Sequence, residues 1–335
     1  MKKKTTIKDV AKAAGVSIST VSNALNDVDV LKSDTKAHIL AVAKELNYVP
    51  NLNGRMLKSS KTKLLGFFST GATGPYFNTL IESMSRECEE LGYNLAIHVT
   101  QDKSMIFNQI LGERFDGILL FEKSAFNDAD IELLEQEKIN TVFLDRGIEG
   151  TTMSSVIFDS LNAGYKITQH LIDLGHKKIA FIAGYPDAYD SLHRQHGFYK
   201  AMEDNQLDVP DNYLVEGLFD EKATYEAITR FIKEGNELPD AFVAANDSSA
   251  IGCMKALKDY GYQLPQDISV TGFDNIEVAQ YFTPALTTML NPVDEQGILA
   301  VQELIKLIDK EKTGEVIHIE VDGEIIIRES SIKKN

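Results

Sequence analysis

The chain has 335 residues, 43% of them hydrophobic, no tryptophan, and a formal net charge of −16. That length predicts two or three domains instead of one core, and no apolar run approaches the roughly 20 residues that span a bilayer. Lys2, Lys3 and Lys4 precede no apolar signal core, so no secretory leader is expected and the protein is expected in the cytoplasm. Cys88 and Cys253 fit no metal spacing and read as two buried free thiols in a reducing compartment.

The charge is divided unevenly. Residues 1–63 carry eleven lysines and one arginine against five carboxylates, a balance of +7, which leaves −23 for the remainder. Such asymmetry marks a basic nucleic-acid module on an acidic body. Within the basic end, Ile7, Val10, Ala11 and Ala14 fall on one helical face, and Gly15 supplies a tight turn with Val16 in its corner. Ser17 is an N-cap for a second helix whose buried side holds Val21 and Leu25. Ile18, Ser19, Ser22 and Asn23 are left facing outward, where a helix-turn-helix meets base edges in the major groove. A third helix is predicted from an N-cap at Ser33 through Ile39, Leu40, Val42, Ala43 and Leu46, ended by Tyr48-Val49-Pro50. From Asn51 to Lys61 a hinge helix of about two turns is marginal alone, and Gly54 costs it roughly 1 kcal/mol relative to alanine. It is expected to form on DNA only.

From Lys63 the texture becomes strand and helix in alternation. Apolar runs at Leu64–Phe68, Leu95–Val99, Gly117–Phe121, Thr141–Leu144, Ser155–Asp159, Ile179–Ile182, Tyr213–Val215, Ala241–Ala244 and Ile268–Thr271 are separated by helical stretches. Continuous apolar strands alternating with helices predict parallel sheets covered on both faces. The fold class is α/β: two parallel sheets of about six strands in a two-lobed body, with a cleft between the lobes, behind a three-helix headpiece.

The motifs, in this order, resemble the LacI/GalR family of bacterial transcription regulators. They begin with Ile7-Lys8-Asp9-Val10-Ala11, Val16-Ser17, Thr20-Val21-Ser22 and Leu25-Asn26, then Leu46-Asn47-Tyr48-Val49-Pro50-Asn51 with Arg55 and Leu57. The body adds Phe143-Leu144-Asp145-Arg146, Leu174-Gly175-His176, Arg194 with Gly197-Phe198, Ala245-Asn246-Asp247, Val270-Thr271-Gly272-Phe273-Asp274 and Leu286-Thr287-Thr288. The resemblance implies a headpiece over 1–49, a hinge over 50–61, a first lobe from 62–162 with 292–322, and a second from 163–291 with 323–335. It further implies a homodimer on double-stranded DNA, at a pseudo-palindromic operator. Thr6, Ser17, Ile18, Ser19, Thr20, Ser22, Asn23 and Asn26 of the headpiece, with Asn51 and Arg55 of the hinge, would meet the DNA, and Leu57 would wedge into the minor groove. Asn23 stands where many members carry arginine, and favours adenine over guanine.

The body is similar to periplasmic sugar-binding proteins, which implies a small-molecule effector between the lobes, a sugar or sugar derivative, and no cofactor or metal. By motif, its lining would be Tyr76, Phe77, Asp145, Arg146, Phe158, Arg194, Phe219, Asp247 and Asn291. Carboxylates, amides and an arginine fork suit vicinal hydroxyls, and aromatic faces suit the C–H side of a ring. Competing readings exist for several of these. Asp145 and Asp247 could be a glycosidase pair, Asp145 and Arg146 an internal ion pair, and Phe158 and Phe219 core residues. His193 and His196 share a helical face with Asp190 nearby but lack a third metal ligand. A cytoplasmic solute-binding protein that never uses DNA is the alternative for the whole chain, and it gives residues 1–60 no purpose. The C-terminal stretch shows no leucine heptads, so a dimer is expected and not a tetramer.

Overall fold

The computed structural model describes residues 5–25, 30–48, 61–112, 115–121, 126–148, 150–309 and 318–334. They form two compact units, Met1–Thr62 and Lys63–Asn335.

The headpiece holds α1 (Ile7–Ala14), α2 (Ile18–Leu25) and α3 (Ser33–Glu45). Val10, Ala11, Ala14, Val21, Ala24, Ile39 and Ala43 are buried together, and Ile7, Val16, Leu25 and Leu46 pack around them. Gly15 ends α1 at φ +67° with its N–H on the Ala11 carbonyl, a left-handed turn that would cost another residue about 1–2 kcal/mol. Ser17 Oγ accepts from the Thr20 N–H at 3.1 Å and caps α2. The start of the headpiece is tied to its end by Thr5 Oγ1, which donates to the Leu46 carbonyl at 3.1 Å. Two details differ from expectation. Lys32, not Ser33, is the N-cap of α3, because its carbonyl accepts the first helical bond, from Lys36. Leu40 is 42% exposed, since it lies about 100° around the helix from buried Ile39. The hinge-helix expectation falls on residues 49–60, outside the described residues.

In the body, β1 (Leu64–Ser69), β2 (Asn94–Val99), β3 (Gly117–Phe121), β4 (Thr141–Phe143), β5 (Met153–Phe158) and β11 (His318–Val321) form one sheet in the order β11-β5-β4-β3-β1-β2, all parallel. The second contains β6 (Ile179–Ala183), β7 (Leu214–Glu216), β8 (Ala241–Ala244), β9 (Ser269–Phe273), β10 (Thr287–Leu290) and β12 (Glu324–Ile326), ordered β12-β10-β9-β8-β6-β7. It is parallel except for β12, which runs antiparallel to β10. Both faces of each sheet are buried, as the strand pattern required. Leu65, Phe67 and Leu119 point into one core with α4 (Pro75–Glu90) and α11 (Val293–Ile308). Their neighbours Phe68, Ile118 and Leu120 point into another, with α5 (Lys103–Gly112) and α6 (Asp128–Gln136). In the second sheet Ala180, Ile182 and Phe242 pack on α9 (Glu221–Lys233) and α10 (Asp247–Asp259). Ile179, Phe181 and Val243 pack on α7 (Ser160–Asp173) and α8 (Tyr189–Asp204). Cys88 and Cys253 are free and buried, and burial pushes the Cys88 thiol up to about 12.

Helices α7 and α8 cross backbone to backbone. A Cβ on Gly164 would lie 2.3 Å from the Arg194 carbonyl oxygen, and one on Gly197 would lie 2.1 Å from that of Leu161. This crossing sets where Arg194 projects from α8. Gly197→Ala should cost about 1–3 kcal/mol of stability by overpacking, read as a lower urea midpoint for the full chain. A midpoint equal to that of the parent would show that the helices can separate freely.

The last residues are woven into the second lobe. The Val270 N–H donates to the Ser330 carbonyl at 2.9 Å, the Thr287 N–H to Ser330 Oγ at 2.8 Å, and the Lys334 N–H to the Leu174 carbonyl at 2.8 Å.

Candidate effector cleft and DNA-reading helix

On α2, Ser17, Ile18 and Ser19 are exposed and Thr20, Ser22 and Asn23 partly so. Ser17 Oγ lies 2.7 Å from both Ser19 Oγ and Thr20 Oγ1, so three hydroxyls gather at the helix start. The dipole and open N–H groups of that end favour phosphate. Thr6 Oγ1 donates to Asp9 at 2.7 Å, which fixes the entry to α1. Asn26, Asn51, Arg55 and Leu57 lie outside the described residues.

In the body the chain turns sharply at the carboxyl end of β9. Asp274 and Asn275 hold φ of +96° and +51°, a conformation costing of order 1–3 kcal/mol each. Several contacts impose it. The Asp274 N–H donates to the Met289 carbonyl at 2.9 Å, the Asn275 N–H to Thr288 Oγ1 at 3.3 Å, and the Ile276 N–H to Asp247 at 2.9 Å. Arg328 donates to Asn275 Oδ1 at 2.6 Å. The turn sets the Asp274 carboxylate 3.5 Å from the Arg194 guanidinium.

Arg194 is 3% exposed. It donates to the Ala245 carbonyl at 2.6 Å and lies over the rings of Phe273 and Phe158, at 4.7 and 5.6 Å from their centroids. Burial raises the Asp274 pKa, and Arg194 opposes the shift. Three buried polar atoms here have no hydrogen-bond partner among the described atoms: Arg194 Nε, Asp274 Oδ1 and Asn291 Oδ1. Buried polar groups are nearly always satisfied, so these atoms retain hydrogen-bonding capacity beyond the 3.5 Å pair of Asp274 Oδ1 with Arg194.

Tyr76 reaches the same region from α4. Its hydroxyl donates to Gln296 Oε1 at 3.0 Å, and buried Gln296 donates in turn to the Leu144 and Val156 carbonyls at 3.0 and 2.9 Å. Burial holds the phenol well above its usual pKa, with Asp190, Asp274 and Asp145 adding to the shift and Arg194 opposing it. Asp190 is fixed by Ser160 Oγ, which donates to it at 2.6 Å. Pro75, Tyr76 and Thr79 from the first lobe, with Asp274, Ile276, Tyr281 and Asn291 from the second, line an open cavity of about 720 Å³.

The sequence matches the model for bacterial regulatory proteins of the lacI family over residues 6–51, and that for a periplasmic binding protein-like domain over residues 168–331. The HTH-type transcriptional repressor PurR of Haemophilus influenzae (strain PittEE) is 36% identical over 333 residues, covering 97% of this chain and 98% of its own. This chain belongs to the LacI family. The probable HTH-type transcriptional repressor ExuR of Bacillus subtilis (strain 168) is 33% identical over 97% of this chain and 98% of its own. The Lac repressor dimer bound to operator and the anti-inducer ONPF superposes with a TM-score of 0.87 at 25% identity, covering 98% of this chain and 100% of that one. The complex of the regulator CelR with cellobiose shares the fold at a TM-score of 0.74 and 24% identity, covering 98% and 100%. The protein is thus a DNA-binding transcriptional regulator with a ligand-binding type of body.

Within this LacI-family body the expected lining residues do not all meet at the cavity. Tyr76 and Asn291 line the cavity, Arg194 adjoins it through its 3.5 Å pair with Asp274, and buried Asp145 lies in the electrostatic neighbourhood of Tyr76. Arg146 pairs with Asp145 at 3.1 Å and donates to the Phe126 carbonyl at 3.2 Å, so the adjacent pair is an internal ion bridge. Phe77 packs on Phe121, with centroids 5.0 Å apart, and Phe158 is 2% exposed in the core beneath Arg194. Phe219 sits at φ +57° with its carbonyl held by Asn246 at 3.1 Å and its ring against Tyr185.

Asp247 needs correction as a lining residue. It is fully buried, and its two oxygens accept from Thr288 Oγ1 at 2.6 Å and the Ile276 N–H at 2.9 Å. It supports the turn that presents Asp274. Sequence reasoning overlooked Asp274, Asp190 and Gln296 as site residues. Asp274 directly follows a parallel strand, and the rule that ligands bind at the carboxyl ends of such strands points to it.

Proposed function

We propose that this LacI-family protein is a cytoplasmic, homodimeric repressor whose operator affinity is set by a small carbohydrate bound between the lobes. The observation that carries the reading is the cluster of Arg194 Nε, Asp274 Oδ1 and Asn291 Oδ1 beside Tyr76, all buried and without a close hydrogen bond, with Asp274 Oδ1 held only by its 3.5 Å ion pair with Arg194. One donor and two acceptors suit adjacent hydroxyls, each of which both gives and takes a hydrogen bond. The fold shared with a cellobiose-bound regulator, and with one from Enterococcus faecium with bound ribose, supports the same class. No described helix is long and apolar enough to cross a membrane.

In this reading α2 enters the major groove, with Ile18, Ser19, Ser22 and Asn23 toward the bases and Ser17 and Thr20 toward phosphate. Thr6 orients the headpiece, and Asn26, Asn51, Arg55 and Leu57 complete the contact along the hinge. The headpiece takes residues 1–49 and the hinge 50–61, with the body lobes divided near 162, 292 and 323. Effector bound across the cleft favours one lobe arrangement, and operator affinity changes by its differential affinity for the two arrangements.

The test is operator affinity of the full chain on DNA selected from a random pool, with and without a panel of sugars. A sugar that lowers affinity establishes induction, and one that raises it establishes corepression. Absence of any specific DNA binding would overturn the repressor reading in favour of a solute-binding protein.

A further inference from the structure

We propose that the cleft is selective by charge: it accepts an uncharged polyhydroxylated effector and rejects the phosphorylated or carboxylated form of the same molecule. The inference rests on the carbohydrate reading and narrows it. Its first basis is the count of charges. Asp190, Asp274 and Asp145 all raise the pKa of the buried Tyr76 phenol, and Arg194 is the cation that opposes them. Arg194 is already shared with Asp274 at 3.5 Å, and Arg146 is paired with Asp145. Among the described residues that line the 720 Å³ cavity the carboxylates are Asp274, Glu277 and Asp294, the last bound to Arg86, with no lysine, arginine or histidine, and Arg194 adjoins the cavity only through Asp274.

The second basis is hydrogen-bond polarity, which is independent of net charge. Asn291 Oδ1 is a buried acceptor without a hydrogen bond, Asp274 Oδ1 has only its 3.5 Å ion pair with Arg194, and Arg194 Nε is the one donor among these three atoms. Hydroxyls supply donors. A phosphate or carboxylate supplies acceptors only, and sets lone pairs against lone pairs. Repulsion between charges a few ångströms apart is strong where water is largely excluded.

Titration calorimetry of the full-length protein tests this with matched pairs: glucose with glucose 6-phosphate and glucuronate, galactose with galacturonate, and ribose with ribose 5-phosphate. For the sugar that binds, the neutral form should bind at least about a hundredfold more tightly than its anion, by the Coulomb scale of such contacts. Asp190→Asn should narrow that ratio at least about tenfold. An anion that binds as well as its neutral partner, or a ratio unmoved by D190N, overturns charge selection and leaves the carbohydrate reading standing. If neither member of any pair binds, the carbohydrate reading fails and this one with it.

Discussion

Arg194→Met should weaken effector binding by at least about a hundredfold while leaving operator affinity without effector within about twofold, if the Arg194 guanidinium beside Asp274 is the charge-assisted donor to the effector as proposed. The variant also removes the cation 3.5 Å from buried Asp274. Breaking a buried pair from one side costs about 3–5 kcal/mol, so the variant should melt early at neutral pH. Arg194→Met combined with Asp274→Asn should recover much of that stability and none of the binding. The sign of the pH effect follows from linkage. Asp274 already binds its proton more tightly folded than unfolded, because it is buried. Its ionised form therefore opposes folding above the raised pKa, and the penalty fades as pH falls through that value. Without Arg194 the raised pKa climbs further, so the stability deficit of R194M relative to the parent should shrink between pH 7.5 and 5. A deficit that is flat with pH, or a normal effector response, would remove the Arg194–Asp274 pair from the site. Lysine should not rescue, since it lacks the planar fork.

The second large effect concerns DNA. Operator affinity should fall about 10³–10⁵-fold between 50 and 200 mM salt, the loss expected for roughly 6–10 phosphate contacts that each release condensed counterions from the DNA. The described headpiece carries Lys8, Lys12, Lys32, Lys36 and Lys44, and the segment to residue 63 carries the +7 balance. The remaining −23 should repel the duplex and so confine contact to the headpiece. Filter binding or fluorescence anisotropy on one fixed operator gives the slope of log affinity against log salt. A slope near −2 would mean that the lysines mostly face away from the DNA.

What the sequence made legible was whatever a local pattern encodes. Nine strands showed as apolar runs; the inner ones do so because they are covered on both faces, while the edge strands β2 and β7 keep apolar residues that are partly exposed. Gly15 and Ser17 marked the turn between two helices because a left-handed cap and a side-chain cap have narrow residue requirements. Strands β10, β11 and β12 carried no such signal. They are four, four and three residues long, and β11 and β12 lie at the sheet edges with polar residues. The cleft was half legible for a related reason. Asp247 and Asp274 both follow apolar strands, and only the positive-φ turn at 274–275 decides which carboxylate faces the cleft. That turn is imposed by Thr288, Met289 and Arg328, which are remote in sequence. Gln296 lies 220 residues from the Tyr76 hydroxyl it accepts from, a distance no local window spans.

The weave of the C-terminus bears on the order in which a newly made chain becomes competent. The first sheet lacks its edge until β11 is made, and the second lacks β12 and the strap at Ser330. The Asp274 turn likewise lacks Arg328 until the chain is almost complete. The headpiece, in contrast, closes on residues 5–48 alone. At a synthesis rate of ~5–20 residues per second, the nucleic-acid module leaves the ribosome about 15–60 s ahead of a finished effector cleft. Each nascent repressor thus spends its first moments as a basic DNA-binding module with no means of sensing its ligand.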